Sequence, residues 1–473
     1  MQDYPQHLAA ASILAKLHDP ALDYGRNLEG RLRIGPYSLF YLAAFAFKPV
    51  VGIEASGKLF LSIYLILIAV LFVKASRLAR SDPTRLSPVV PAVPLLFFVF
   101  AFNQFYFLGM LNFLISVPLL VLALLDHERI ADDGAGRHPV LRLAAWQLAL
   151  FLAHPFTFGL YVLFSVMGAV IFDRARPGYK RSLVLSFLAG LVFLAWFVIS
   201  LLSPASSPTA GLSPRWLPPK MTFAFFFYMF TGMRWFDGVN LVPVLLWAAL
   251  AISVICSYFL APKQGRSRSE RYAFFWGISL LLFFGLPFAQ GSYSYINLRL
   301  APISYFFLVL ALSGLRLRRG LYAALAVPLA ALMVMSIVQQ KSISGEIEDV
   351  VPIFERIPPN SRILPLIFDN DSPKLDRPFF DLHLHDHQYY HVLVGGGFNP
   401  YLLSFSIGPI RIKAGAAVPV LSSYEAGRFQ WDIHSDDYRF FLTRGAPTAF
   451  LGYLGERANP VARSGPWVLF ERK

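Results

Sequence analysis

The chain has 473 residues, 56% of them hydrophobic and only 15% charged, and carries a formal net charge of +14. Soluble domains hold about 25% charged residues, so at a mean hydropathy of +0.54 a water-soluble globule would expose large apolar patches. That composition excludes disorder, coiled coil and a disulfide-knit secreted module, and identifies a polytopic membrane protein. The single cysteine, Cys256, excludes an intrachain disulfide and argues against thiol-metal chemistry.

The charge is unevenly divided. Residues 341–473 contain 14 basic and 15 acidic side chains, whereas residues 1–340 contain 28 and 13. The excess therefore belongs to membrane loops, where it fits cytoplasmic retention and lipid phosphates, and no basic face with interleaved aromatics points to nucleic acid.

In chain order, apolar stretches of spanning or near-spanning length fall at 57–73, 86–102, 105–125, 143–172, 182–202, 240–261, 272–290, 300–315 and 320–339. The basic loops 74–85, 126–142, 173–181, 263–271 and 316–319 are assigned to the cytoplasm by the positive-inside rule. Residues 143–172 lie between two such loops and must cross an even number of times, with His154-Pro155 as the break between two short helices. The total is about ten or eleven helices, with the first 30 residues and the tail after 340 facing outward. Residues 34–53 are rich in proline and aromatics and are read as an interfacial helix or re-entrant hairpin in preference to a crossing. An interfacial helix is also expected in the long loop 203–238.

Residues 1–340 thus form a transmembrane domain and residues 341–473 an extracytoplasmic soluble α/β domain. In the latter, Val350, Ile353, Phe354 and Ile357 mark a helix face, and SRILPLIF, HVLV, IRIKA, AAVPVL, RFFLTR, PTAFLGYL and GPWVLFER read as strands.

Candidate chemistry starts at the N-terminus. Asp3 precedes Pro5 and a run of helix formers, and His7 lies four residues on, so the two share one face of a helix start. Asp3 is either an ordinary helix cap or an outward carboxylate acting as general base. Outward or interfacial cations are Arg31, Arg33, Arg215, Lys220, Arg234 and Arg299, each a phosphate ligand or a snorkelling side chain. His154 sits at the outer tip of a broken helix pair, as a site residue or as a partner for freed backbone. Asp237 is a spare carboxylate in the long loop. In the tail, Asp381, His383, His385 and His387 alternate, so on a strand all would project from one face, as a zinc set, an acceptor or sugar contact, or a solvated loop against the membrane domain.

Several segments together resemble the GT-C superfamily of membrane glycosyltransferases, relatives of protein mannosyltransferases and aminoarabinose transferases. They are DYPQH at 3–7, GPYSLFYLAAFAF at 35–47, FLGMLNFLISVPLLVLALL at 107–125, LAHPFTF at 152–158 and INLRLAPISYFFLVLAL at 296–312. The resemblance implies a GT-C-like fold in a bacterial inner membrane and transfer of a sugar from a polyprenyl-phosphate-linked donor to a lipid, glycan or protein acceptor outside. It implies Asp3 as the base, His7 orienting it or binding the acceptor, and Arg299 at the lipid phosphate, with Arg33, Arg234 and Lys220 as further candidates. His154, Asn103, Asp237, His385 and His387 are the candidates for acceptor or sugar contact. Where many relatives carry a second acidic residue in the next outward turn, this chain has Asn103, Gln104 and Asn112, which disfavours a catalytic divalent metal; no other cofactor is implied. In the family, the loop holding Asp3 follows a first transmembrane helix, which is expected either upstream of Met1 or replaced by unaided crossing of the tail. A scaffold that kept the architecture without chemistry and a lipid or glycan transporter are the competing readings, the latter disfavoured by helix interiors nearly free of charge.

Overall fold

A computed structural model describes residues 1–80, 92–133, 137–202, 213–231, 252, 266–290, 293–313, 330, 333–334, 337–338, 340–372, 381–402, 408–416, 421 and 425–473. Among these, four helices are long and apolar enough to cross a membrane: Leu39–Arg77, Leu111–Asp132, Pro155–Phe172 and Tyr179–Ser200. A shorter apolar helix, Leu300–Ser313, is buried along its whole length and lies at the centre with Leu111–Asp133. By contrast Tyr179–Leu202 turns Phe187, Leu188, Leu191 and Leu194 outward, an apolar face that matches hydrocarbon. The stretches 240–261 and 320–339 lie outside or almost outside the described residues.

In their described parts, four of the five basic loops meet at one end of this bundle; 316–319 lies outside the described residues. Asp126, at the end of its helix, accepts bonds from Lys74 at 3.1 Å, Arg142 at 2.5 and 2.8 Å, and Trp146 at 2.9 Å. Arg271 pairs with Asp173 and lies 3.8 Å from Glu128, while Arg176 bridges Asp132 at 2.7 Å and Asp173 at 3.1 Å. Buried charges are costly unless paired, so this network locks the ends of five helices to one level. The described parts of the loops 74–85, 126–142, 173–181 and 263–271 thus meet physically.

At the opposite end, the segment 34–53, read as interfacial or re-entrant, leads into a reversal of the chain. The helical stretch Leu39–Arg80 is broken at Gly52, whose φ of 76° and ψ of 173° only glycine adopts cheaply. Phe40 and Phe60 then meet edge to face at 5.3 Å, which a straight helix would forbid. Residues 39–51 are only about 20 Å long, short of the ~30 Å hydrocarbon core, and fold back beside the N-terminal helix. Tyr41 touches His7 there, and Lys48 reaches the Ala15 carbonyl.

The apolar stretch 105–125, expected as one helix, is in fact two pieces, Gln104–Leu108 and Leu111–Asp133, divided by Gly109. Gly109 has a φ of 76°, and the Met110 N–H closes on the Phe105 carbonyl, a left-handed helix stop. The expected break at His154-Pro155 separates Arg137–Ala153 from Pro155–Phe172, and the aromatic part of loop 203–238 contains the helix Pro219–Thr231.

The tail holds a four-stranded sheet in the order β2 (Ile363–Ile367), β4 (Phe440–Arg444), β6 (Trp467–Arg472), β5 (Ala458–Ser464). β2 runs parallel to β4, and the other neighbours are antiparallel. One face packs on Val350, Ile353, Phe354 and Ile357, the apolar set read from the sequence. Two expected strands are helices: HVLV falls in Tyr389–Leu393 and PTAFLGYL in Thr448–Gly455. Residues 381–387 form no strand either, but a 3-10 turn, Leu382–Gln388, so the alternation does not bring the histidines to one face. Most of AAVPVL lies outside the described residues. β1 (Leu28–Gly30) pairs with β3 (Ile410–Ile412), joining the N-terminal loop to the tail.

A side chain at position 109 would bring its Cβ within 2.7 Å of the Tyr4 backbone nitrogen, besides requiring positive φ. Gly109→Ala is therefore expected to destabilise the purified protein by about 1–3 kcal/mol, read as a lowered thermal midpoint in detergent. An unchanged midpoint would show that the two segments do not approach so closely.

Candidate active site

The N-terminus is fixed through its backbone. Gln2 and Asp3 donate N–H bonds of 2.9 Å to the carbonyls of Phe107 and Leu108, the end of the short helix stopped by Gly109. Helix Tyr4–Lys16 starts there, with Pro5 in its first turn. Asp3 stands at the cap position, yet its side chain makes no capping bond. Among the described residues the carboxylate is thus committed to no backbone N–H.

Its side-chain neighbours from the helix and the tail are polar, and the chain's amino group and Asp381 add charge of opposite sign nearby. Gln6 Nε2 lies 2.6 Å from His385 Nδ1, and His385 Nε2 lies 3.6 Å from Asp3 Oδ1, beyond hydrogen-bond length. His7 shares a 2.9 Å bond with the Tyr41 hydroxyl. Burial pushes the His7 pKa down to about 4, and burial with the nearby His7 pushes His385 down to about 3, so both rings are neutral at physiological pH. Desolvation raises Asp3 to about 7, with Asp381 adding to the rise and the chain's amino group opposing it. The Asp3 side chain nevertheless keeps 31% of its exposure, enough to be reached by a substrate. A carboxyl group poised near neutrality, reachable and unpaired, is a fit general base.

A second cluster surrounds Arg299, which follows the turn 293–298 and precedes the buried helix Leu300–Ser313. Its guanidinium sits 5.9 Å from the Phe113 ring centre and has Tyr37, Tyr295 and Tyr293 as electrostatic neighbours. Among the described residues no carboxylate pairs with it, and its buried Nε has no hydrogen-bond partner. His154 packs edge-on to Tyr37 at 5.0 Å and Phe113 at 5.3 Å, and its buried Nδ1 also lacks a partner among the described residues. Unsatisfied buried donors are costly, so an unpaired cation beside an orphaned imidazole suits an incoming anion.

One short segment connects the two clusters. Tyr41 contacts His7, whereas Tyr37, held at a φ of 68°, contacts His154. Asn112 fixes the segment by accepting from Phe40 N at 3.0 Å and donating to the Tyr37 carbonyl at 2.8 Å.

The remaining candidates are placed elsewhere. Asn103 caps the Gln104–Leu108 helix, accepting from Phe105 N and donating to the Phe100 carbonyl. Arg31 pairs with Glu29 at 2.9 Å, while Arg33 and Lys220 are exposed. Arg234 and Asp237 lie outside the described residues. His387 bonds Asn399 at 2.7 Å, and His383 lies between two carboxylates, so His383, His385 and His387 each face different partners. Among the described residues no cluster of three or more His, Cys, Asp or Glu side chains could hold a metal ion. Gln6, Tyr37 and Tyr41 join the site without having been singled out from the sequence. Gln6 was within reach of such a reading, being one turn from Asp3 in DYPQH, whereas the positive φ of Tyr37 has no local signature.

Because Asp3 caps nothing and its pKa lies above the unfolded value, ionising it opposes folding: its contribution is full below about pH 3.8 and is lost as pH rises through about 7. Asp3→Asn, which is never ionised, is expected to unfold at the same or a higher temperature than the parent at pH 8. A lowered midpoint at pH 8 would restore the capping role.

No family profile and no curated protein matches the sequence. Among solved structures, the crystal structure of ArnT from Cupriavidus metallidurans in the apo state superposes with a TM-score of 0.54 at 11% identity, covering 99% of this chain and 93% of that one. The likeness is one of fold, and the chain therefore has the ArnT-like architecture of a helical membrane protein that its resemblance to the GT-C superfamily implied.

Proposed function

We propose that the protein is a membrane-embedded glycosyltransferase that moves a sugar from a polyprenyl-phosphate-linked donor to an acceptor on the extracytoplasmic side, with Asp3 as general base. The observation that carries this reading is the Asp3 carboxyl group, poised near neutrality without a cap bond, in a chain of ArnT-like fold. In the reaction the acceptor hydroxyl oxygen attacks the anomeric carbon and its proton passes to an Asp3 carboxylate oxygen. The bond between the anomeric carbon and the phosphate oxygen breaks, and the electron pair leaves with polyprenyl phosphate. Phosphate is a stable leaving group, so a single carboxylate suffices.

Arg299 takes the donor phosphate in this reading, and the orphaned Nδ1 of His154 lies beside it. His7, Gln6 and His385 bind acceptor hydroxyls or hold Asp3 in place, their neutrality leaving the carboxylate unneutralised. Residues 341–473 form the extracytoplasmic part, and the end carrying the Asp126 network faces the cytoplasm, because its loops hold the basic excess.

Three measurements follow. Transfer should lose about 100-fold or more in Asp3→Asn, and in the parent its rate should fall below about pH 7 as Asp3 takes up a proton. Normal turnover by purified Asp3→Asn would end the assignment. Arg299→Ala should raise the donor concentration needed for half-maximal rate by about tenfold or more, with Arg299→Lys recovering only part. An unchanged donor dependence in both would leave Arg299 as a snorkelling side chain, and absence of donor binding by the parent would favour the scaffold.

The third concerns orientation. In a Cys256→Ser background, Arg33→Cys and Asp432→Cys should react with a membrane-impermeant thiol reagent in intact cells, and Ala175→Cys only after permeabilisation. All three positions are exposed. Labelling of Ala175→Cys in intact cells would invert the topology.

A further inference from the structure

The turn that carries His385 over Asp3 is itself anchored by an unusual buried triad. His383 is fully buried, with Nδ1 2.7 Å from Asp386 Oδ2 and Nε2 3.1 Å from Glu346 Oε2. Ser372 donates a further 3.0 Å bond to Glu346 Oε1. Both ring nitrogens face carboxylate oxygens, so the two bonds coexist only when the ring carries two protons or one carboxyl group carries one. The carboxylates lie at opposite edges of the ring, which makes the group a clamp and not a chelate.

Geometry directs this clamp at Asp3. Leu382–Gln388 is a 3-10 turn, in which residues three apart eclipse each other, so His383 and Asp386 share one face. His385 is displaced from them by about 240° around the axis and points the other way. There it meets Gln6 and Asp3, while the Asp381 N–H donates to Gln2 Oε1 at 3.1 Å. One face of the turn is thus tied to Glu346, just after the membrane-spanning region, and the other roofs the carboxylate.

We propose that His383 is a positioning residue for Asp3: by binding two carboxylates at once, it fixes the turn so that His385 stays against one side of the Asp3 carboxyl group and limits the water that reaches it. The consequence for catalysis rests on Asp3 being the base; the placement of the turn does not. The charged or titratable groups facing Asp3 are the chain's amino group, Asp381 and His385, while His7, one turn along the same helix, faces His385 and Tyr41. None is His383, so any effect of His383 on Asp3 must travel through the turn.

The test is titration of the Asp3 carboxyl stretch by infrared difference spectroscopy on the full-length protein in lipid nanodiscs, the band being identified by its loss in Asp3→Asn. The parent should titrate near 7. In His383→Ala the midpoint should fall by at least about one unit toward the ordinary carboxylate range as water reaches Asp3, and His385→Ala should do the same. The double variant should fall no further than either single one. His383→Gln, which keeps a donor for one carboxylate, should recover part of the shift. Glu346→Gln should lower the midpoint by about half a unit or more, and replaces His383→Ala as the deciding variant should the latter not fold. A folded His383→Ala, or in its place Glu346→Gln, that titrates like the parent overturns the inference whatever the transfer assay shows. In that assay, His383→Ala should lower kcat by about tenfold with the donor KM unchanged. Shifted midpoints alongside transfer that is indifferent to Asp3→Asn would overturn the base assignment and leave the clamp standing.

Discussion

The site depends on a single backbone contact: the N–H groups of Gln2 and Asp3 on the carbonyls of Phe107 and Leu108. Only a glycine at 109 lets the two chain segments approach so closely, since the Cβ of any other residue there would collide with Tyr4 N. Through this contact the start of the N-terminal helix is bound to the short helix that precedes Leu111–Asp133, which is buried along most of its length. Asp3 therefore inherits the rigidity of the bundle centre although it belongs to a terminal segment. The same arrangement frees its side chain, because the cap position is held by the backbone and not by the carboxylate.

Charge is handled differently at the two ends of the molecule. At the end with the basic loops, acids and bases are paired across five helices, and the result is a closed, neutralised network. At the other end, among the described residues, Arg299 and Asp3 each lack an opposite charge within ion-pair distance, apart from a histidine held neutral. Unpaired charge in a poorly solvated setting costs folding free energy, so such groups mark the place where a ligand of complementary charge or a proton is to be bound. Tyr37 to Tyr41, fixed by Asn112, links the unpaired cation to the unpaired acid.

Much of this was legible in the sequence. Loop charge is a local property, and four of the loops it picked out meet, in their described parts, at one end; proline after His154 and the proline and aromatic content of 34–53 identified the two departures from straight helices. Asp3, His7, His154 and Arg299 were nameable because their residue types fit a known chemistry. What could not be read depends on contacts between distant segments. The alternation DLHLHDH is compatible with a strand, and only the partners of His383, at 346 and 386, settle it as a 3-10 turn. HVLV and PTAFLGYL are apolar runs short enough for either structure, and β5, ANPVARS, is too polar to be noticed away from its neighbour β6. The recruitment of Tyr37 and Tyr41 follows from the placing of that reversal at Gly52, a position that no local pattern announces.

The central claim is that one site holds the donor phosphate at Arg299 and presents the anomeric carbon to Asp3. A structure of the protein with a non-transferable polyprenyl-phosphate sugar analogue tests it most directly. The account predicts the phosphate within hydrogen-bond reach of the Arg299 guanidinium and the sugar between it and the Asp3 carboxylate, with room for an acceptor hydroxyl at hydrogen-bond distance from Asp3. A donor bound away from Arg299, or with its anomeric carbon turned from Asp3, would contradict it.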